Sequence, residues 1–334
     1  QSKYRPTPNR QRMIATMIPQ GESSFTLMLI QKYGVEFDNN SGIEVQIQYD
    51  RLIAQVYYQL SNTHLAIDYI NSAYTKCINY EACPKDLLLT VMSESLQYLS
   101  TTEYYDNMIE VGAEILRLTE NNKDIDYKIS ALTGIGIAYG HKGIYNQAIK
   151  YLNDAIAILS AHGLYGTTTY LNLIDMLAGI YTDAQEFGKC RTIISTYLPD
   201  FVSTFGQDSE RTIVMKERLG WALFHLGDTD SAAKLFAECG ESYRNLFFQL
   251  AEYLSEIDLY FLYAEYAAKF KRLCVRANNL QKSDINSASY NAAITYKNFL
   301  ISSQNSLWHA VVQTNDTTII NAYNEYLLKR KQTR

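Results

Sequence analysis

The side chains that could carry out covalent or acid–base chemistry are few and scattered along this sequence. It contains no H-E-x-x-H, G-x-S-x-G or P-loop motif, and its five cysteines include no C-x-x-C pair. The glycines Gly134, Gly136 and Gly140 have the spacing G-x-G-x-x-x-G inside a helical pattern, which differs from that of a phosphate-binding loop. A Cys–His dyad needs a thiol beside a base, whereas Cys190 and Cys239 fall at apolar helix positions. We therefore expect no catalytic residue, no metal site and no cofactor. The histidines, each isolated in the sequence, are His64, His141, His162, His225 and His309.

Recognition of a partner is better supported, because aromatic and polar side chains occupy positions that a helical core pattern leaves free. Trp221 and Phe224 recur at helical spacing, with the acidic residues Glu217 and Asp175 as neighbours in the pattern. Since Trp and Tyr are enriched at binding hot spots, we expect an apolar anchor pocket that prefers a peptide with a basic group. The alternative is that Trp221 packs against a neighbouring helix. Amide and hydroxyl side chains elsewhere suit an extended peptide backbone. The candidate binding residues are Arg51, Gln55, Tyr58, Ser93, Gln97, Asn172, Asp175, Glu217, Trp221 and Phe224.

The composition predicts long helices. Of 334 residues, 47% are hydrophobic and 19% are charged. Gly and Pro together number 21 of 334, roughly half of their usual combined share of about 12%. Few turn-forming residues argue against a many-stranded sandwich. The net charge of −5 lacks the basic excess that binding to phosphate backbones requires, so nucleic acid is not expected as a partner. The 28 tyrosines are an excess that we expect to lie chiefly in the core.

A repeat of about 42 residues organises the chain. Residues 129–160 read as two helices with a turn at Gly143, and the small residues Gly136 and Ala148 lie where the helices cross. Residues 213–240 follow the same template. The equivalent positions of the second helices are 66, 108, 148, 190 and 232, which are separated by 42, 40, 42 and 42.

This pattern resembles the tetratricopeptide repeat, with Gly136, Tyr139 and Ala148 in one copy and Gly220 and Ala232 in another. The resemblance implies an all-α fold in which about five helical hairpins stack as a right-handed α-solenoid. The first helix of each hairpin would then line a concave groove that binds a protein or an extended peptide. We expect an N-terminal helical segment over 1–45, the repeat solenoid over 46–244, and a C-terminal helical segment over 245–334.

The C-terminal segment resembles a second family pattern over about 247–331. In bacterial tetratricopeptide proteins, a similar segment joins the repeats to a CHAT domain, a caspase-like cysteine protease module. This chain departs from the pattern at Asn298 and lacks the arginine that usually follows "LSE". If the resemblance holds, the protease His and Cys lie beyond Arg334. The matching residues are Leu254, Ser255, Glu256, Tyr260, Tyr290, Asn291, Ile294, Lys297, Leu300, Ser302, Ser303, Asp316, Ile319, Tyr323 and Tyr326.

These patterns predict a non-catalytic regulatory module that binds a protein or peptide, with a C-terminal protease domain as an implied partner. Occupation of the groove would change the restraint on that protease. A peptide-sensing transcription regulator, or a scaffold or sensor domain of a signalling protein, is the alternative. No stretch reads as a membrane span. The location stays open: cytoplasmic, or exported if Gln1 follows a removed signal peptide.

Overall fold

The computed structural model describes residues 42–119, 124–251, 256–283, 285–291, 294, 313 and 316–332. All regular secondary structure in these residues is α-helical, which confirms the expected all-α class. The predicted N-terminal segment lies almost entirely outside the described residues. The chain divides into two compact units, residues 1–185 and residues 186–334. This division falls inside the range 46–244, and the expected domain boundaries stay a prediction.

The described residues of the first unit form three helical hairpins followed by a single helix. Consecutive helices pack against each other, and the first helices of neighbouring hairpins also make contact. One continuous apolar core runs beneath the first two hairpins and reaches the third. The helices are α1 (Ile43–Gln59), α2 (Thr63–Asn79), α3 (Lys85–Leu99), α4 (Tyr105–Leu118), α5 (Ile125–His141), α6 (Tyr145–Ala161) and α7 (Thr168–Asp183).

The second unit contains a further hairpin with helices on both sides of it. Its core includes Phe236, Tyr243 and Phe247 from the second helix of that hairpin, together with Tyr266 and Phe270 from the helix that follows. A short helical stretch over 285–291 packs back on the same core. The helices are α8 (Phe187–Phe205), α9 (Glu210–His225), α10 (Thr229–Ala251), α11 (Glu256–Leu280) and α12 (Thr317–Gln332).

Small residues let the paired helices approach each other, as the repeat pattern predicts. A Cβ atom on Gly136 would lie 3.0 Å from Leu152 Cγ, and one on Gly220 would lie 2.9 Å from the Phe236 ring. Gly143 forms the predicted turn with φ +74°, a left-handed conformation that favours glycine. The close crossing and the tight turn together fix the geometry of each hairpin.

Most tyrosines of the described residues are half-buried, whereas the sequence predicts that they lie chiefly in the core. Several of them, including Tyr57 and Tyr69, pack against the edge of the core of the first unit. Tyr57 of α1 stacks on Tyr69 of α2 with ring centroids 5.6 Å apart. Tyr139 of α5 stacks on Tyr151 of α6 in the same way at 5.7 Å. These stacks join the two helices of a hairpin through the apolar bodies of the phenol rings.

Candidate peptide-binding groove

An open groove lies on the first unit where the first helices of successive hairpins meet. Its volume is about 530 Å³, within the range of about 300–1,000 Å³ typical of ligand sites. Helices α3 and α5 form its walls, and the connection between α6 and α7 closes one end. The lining residues are Leu96, Gln97, Ser100, Asp126, Ile129, Ser130, Thr133, Gly134, Ile137, Leu159, Leu164, Thr167 and Thr169.

The groove combines apolar side chains with hydroxyl and amide groups. Leu96 meets Gly134 closely, since a Cβ atom on this glycine would lie 3.2 Å from Leu96 Cδ1. A larger residue at 134 would therefore push α3 away from α5. Ile129 and Ile137 lie about two turns apart on α5, and Asp126 is the charged member of the lining. Such a surface can hold an apolar side chain and bond the backbone on either side of it.

Of the candidate binding residues in the first unit, Gln97 lines this groove and is exposed. Arg51 instead makes a bidentate ion pair with Glu94, with Nε 2.8 Å from Oε2 and Nη2 2.5 Å from Oε1. The pair joins α1 to α3 and engages the guanidinium within the protein. Tyr58 packs its ring on Tyr98 with centroids 4.7 Å apart.

The other candidates in this unit lie outside the groove lining. Ser93 is half-buried on α3, and its hydroxyl oxygen is buried without a hydrogen-bond partner in the described residues. Gln55 is half-buried on α1. Asn172 and Asp175 are half-buried on α7 and already interact within the protein. Whether these residues bind a partner stays a prediction.

In the second unit, the chain itself occupies the site expected around Glu217 and Trp221. Arg276 of α11 makes an ion pair with Glu217 Oε1, and its guanidinium carbon lies 5.5 Å from the centre of the Trp221 ring. Trp221 in turn stacks on Phe224 with centroids 5.5 Å apart. This arrangement agrees with the alternative prediction for Trp221, in which it packs against a neighbouring helix. Glu217 is thus not a free acid for a basic peptide, because Arg276 already neutralises it.

Burial sets the protonation of the groups around Glu217. The side chain is 7% exposed, and its Oε2 accepts a hydrogen bond of 2.9 Å from the Tyr243 hydroxyl. Burial, followed by the charge of Glu217, raises the pKa of Tyr243 well above its usual range, so the phenol stays protonated and donates. The carboxylate is therefore held by both a cation and a neutral donor.

Two groups of residues were missed in the sequence. Ser130, Thr133 and Ile137 of α5 line the groove, although no candidate was taken from this third hairpin. They lie at i, i+3 and i+7 on the face that Leu132 and Gly136 leave free, so the helical spacing could have identified them. Arg276 was also missed, because it lies beyond the part of the chain where the repeat period is regular.

In the described part of the chain, no group of three or more His, Cys, Asp or Glu side chains could hold a metal ion. None of the helices described is both long and apolar enough to cross a membrane.

Helical hairpins of this kind, with close crossings at Gly136 and Gly220, give the chain a tetratricopeptide-like α-helical repeat fold. The family model for the tetratricopeptide repeat matches residues 217–245. No curated protein sequence matches the chain. The expected tetratricopeptide-like solenoid class is confirmed by this match together with the solved structures of similar fold.

Three of these structures share the fold at low sequence identity. A signal-transduction ATPase with numerous domains (STAND protein) from Pyrococcus horikoshii, which has a tetratricopeptide repeat sensor, has a TM-score of 0.62 and 14% identity, over 88% of this chain and 42% of that one. The apo form of RapI has a TM-score of 0.54 and 14% identity, over 86% and 97%. Aspartyl phosphate phosphatase F from Bacillus subtilis has a TM-score of 0.54 and 16% identity, over 85% and 68%.

Proposed function

We propose that this chain is a non-catalytic regulatory module that binds a protein or an extended peptide in the groove of its first unit. The observation that carries the proposal is an open groove of about 530 Å³ with apolar walls and a rim of hydroxyl and amide groups. One of the structures of similar fold is described as a signal-transduction ATPase with a tetratricopeptide repeat sensor, which agrees with a sensing role.

A peptide would be bound in this groove by two kinds of contact: one buried apolar side chain and hydrogen bonds to the peptide backbone. A leucine- or phenylalanine-sized side chain would be buried between Leu96, Ile129 and Ile137. Gln97 would exchange hydrogen bonds with the peptide backbone, since its amide both donates and accepts. A bulky apolar residue is therefore the expected common feature of ligands, with no requirement for a basic residue at Glu217.

The experiment that tests this function selects peptides from a random-sequence phage library on the full chain and on two matched variants. Thr133→Trp fills the groove. Thr75→Trp is the control, because Thr75 is exposed on α2 and is not part of the groove lining. The two threonines make the same local contact: Thr133 donates to the Ile129 carbonyl at 2.7 Å and Thr75 to the Asn71 carbonyl at 2.8 Å.

Peptides that bind the wild-type chain and Thr75→Trp, but not Thr133→Trp, are expected. Gln97→Ala should lower the affinity for such a peptide about fivefold, which corresponds to the loss of about 1 kcal/mol for one hydrogen bond. Equal binding to both tryptophan variants, with the circular dichroism spectrum unchanged, would rule out this groove as the site.

The finer proposal is that the module is the sensing and docking part of a CHAT protease. It is supported by the sequence resemblance over 247–331, several residues of which, including Leu254, Ser255, Lys297, Leu300, Ser302 and Ser303, lie outside the described residues. A partner in the groove would then alter the C-terminal helices and the restraint on the protease.

The parent reading frame beyond Arg334 tests this finer proposal. A strand-rich continuation with one His and one Cys is expected, and the protease activity of that protein should change when a selected groove peptide is added. A stop codon or a membrane span directly after Arg334 would remove the protease while leaving peptide binding intact. A transcription regulator, the alternative, would need a helix-turn-helix and a basic patch. The few basic residues near the start of the chain, Lys3, Arg5, Arg10 and Arg12, are not followed by a recognition-helix pattern in the sequence, and they lie outside the described residues.

A further inference from the structure

Two cysteines lie together at the connection between α2 and α3. Cys77 is in the last turn of α2 and is buried in the core of the first unit. Cys83 directly precedes Pro84, the residue before α3, and is half-buried against the same core. The other cysteines lie in the second unit, where Cys190 and Cys239 are buried and Cys274 is exposed.

The backbone brings the two cysteines to the same connection. The amide of Tyr80 donates to the Cys77 carbonyl at 3.3 Å, and the amide of Cys83 donates to the Tyr80 carbonyl at 2.8 Å. These two consecutive turns lead from the end of α2 to Cys83, whose thiol donates to the Pro84 carbonyl at 3.7 Å. Cys83 packs against the apolar core that contains Cys77, and it is near enough to raise the pKa of the Cys77 thiol. Both cysteines are therefore held at the same edge of this core.

We propose that Cys77 and Cys83 are an oxidation site that forms an intramolecular disulfide with a low-molecular-weight disulfide as oxidant. The geometry favours this pair because Cys83 is half-buried, Cys77 is buried, and both belong to the same core at one short connection.

The reaction is a two-step thiol–disulfide exchange. The Cys83 thiolate attacks one sulfur of the oxidant, forms a mixed disulfide and releases one thiol. Cys77 then attacks the Cys83 sulfur, its proton passes to the departing thiolate, and a second thiol leaves. Two electrons pass from the protein thiols to the oxidant, which is reduced to two thiols. Burial, and secondly the neighbouring Cys83, raises the pKa of Cys77 to about 12, so the second step is expected to be slow.

The disulfide would tie the end of α2 to the start of α3, which carries Leu96 and Gln97 of the groove. A cross-link that closes a short loop restricts the unfolded chain and stabilises the folded state. Oxidation is therefore expected to raise the melting temperature of the first unit by a few degrees. The inference does not depend on the proposed peptide binding.

The experiment uses the tryptic peptide from Cys77 to Lys85, which contains both cysteines because Lys76 and Lys85 are the flanking cleavage sites. The full chain is equilibrated with mixtures of oxidised and reduced glutathione, quenched in acid, alkylated under denaturing conditions and digested. The expected product is this peptide without alkyl groups and about 2 Da lighter than the reduced form. Cys190 and Cys239 in the same digest should remain alkylated.

Cys83→Ser provides the matched variant, in which Cys77 should stay alkylated at every glutathione ratio. Exposed Cys274 is the internal standard for oxidant strength, since it should form a mixed disulfide. Two results would overturn the proposal. One is a doubly alkylated 77–85 peptide under conditions that modify Cys274. The other is a mixed glutathione disulfide on Cys83 that never resolves to the lighter peptide.

Discussion

Replacing Arg276 by Met tests whether the ion pair with Glu217 holds α11 on α9. In the wild-type structure, Glu217 Oε1 accepts from Arg276, and the Nε atom of Arg272 lies 3.5 Å from the same oxygen. Removing Arg276 leaves a carboxylate that is 7% exposed with Tyr243 as its close donor. Arg272 is half-exposed and would have to move to replace the lost cation.

The magnitude follows from the burial of the pair. Breaking a buried ion pair by removing one partner costs about 3–5 kcal/mol. Partial replacement by Arg272 reduces this loss, and the lost stacking of the guanidinium on Trp221 and Phe236 adds about 1 kcal/mol. We therefore expect Arg276→Met to lower the free energy of unfolding of the second unit by about 3 kcal/mol.

A double variant separates the ion pair from simple loss of packing. Glu217→Leu combined with Arg276→Met replaces both charges by apolar groups, so it should recover most of the stability lost in the single variant. The assay is urea unfolding followed by the fluorescence of Trp221 in a Trp308→Phe background, since the chain has two tryptophans. Two results would refute the reasoning. One is a free energy of unfolding for Arg276→Met that lies within about 0.5 kcal/mol of the wild-type value. The other is a double variant whose loss of stability equals the sum of the losses of the two single variants.

Two further predictions concern the helices. Gly136→Ala should destabilise the first unit by about 1–2 kcal/mol, because the new Cβ would lie 3.0 Å from Leu152 Cγ. Gly188→Ala should instead stabilise α8 by about 0.5 kcal/mol, because its new Cβ would have no atom within 4 Å. Equal melting shifts for the two variants would contradict this packing argument. The backbone amides of Thr318 and then Ile319 donate to Asp316 and hold its carboxyl pKa below the usual value. The cap should therefore stabilise α12 at neutral pH and lose this effect as the pH falls through the lowered pKa. NMR titration of the carboxyl carbon checks this, and an ordinary pKa there would disprove the cap.

The hairpins of this protein could be predicted from sequence because their crossing points require small residues. Gly136 and Gly220 have no room for a side chain, and Ala148 and Ala232 are fully buried. This constraint acts locally between two adjacent helices, so it recurs in several hairpins and can be recognised as a period, although the α3–α4 hairpin has Met108 at the equivalent position. The same constraint does not determine which polar side chains stay accessible to a binding partner. Their accessibility depends on whether the neighbouring first helix covers them.

Trp221 is covered by Arg276 of α11, a helix that the repeat period does not predict. The first helices begin at residues 43, 85, 125, 168 and 210, and α11 begins at 256, so the last separation is 46 rather than about 42. The cause is α10, which has 23 residues where α2 and α6 have 17. The extra length obscures the repeat, yet α11 still packs on α10 in the manner of another first helix.

Whether a residue on a first helix can bind a partner is therefore decided by its neighbouring helix rather than by its own type. Thr133 lies in an open groove because the adjacent Gly134 has no side chain and the facing residue on α3 is a leucine. Glu217 lies at the equivalent kind of position, but α11 presents Arg276 to it and closes the site. Of the two surfaces, the groove with Gln97 keeps its polar rim available to a ligand, and it is the surface from which peptide selection should yield a sequence.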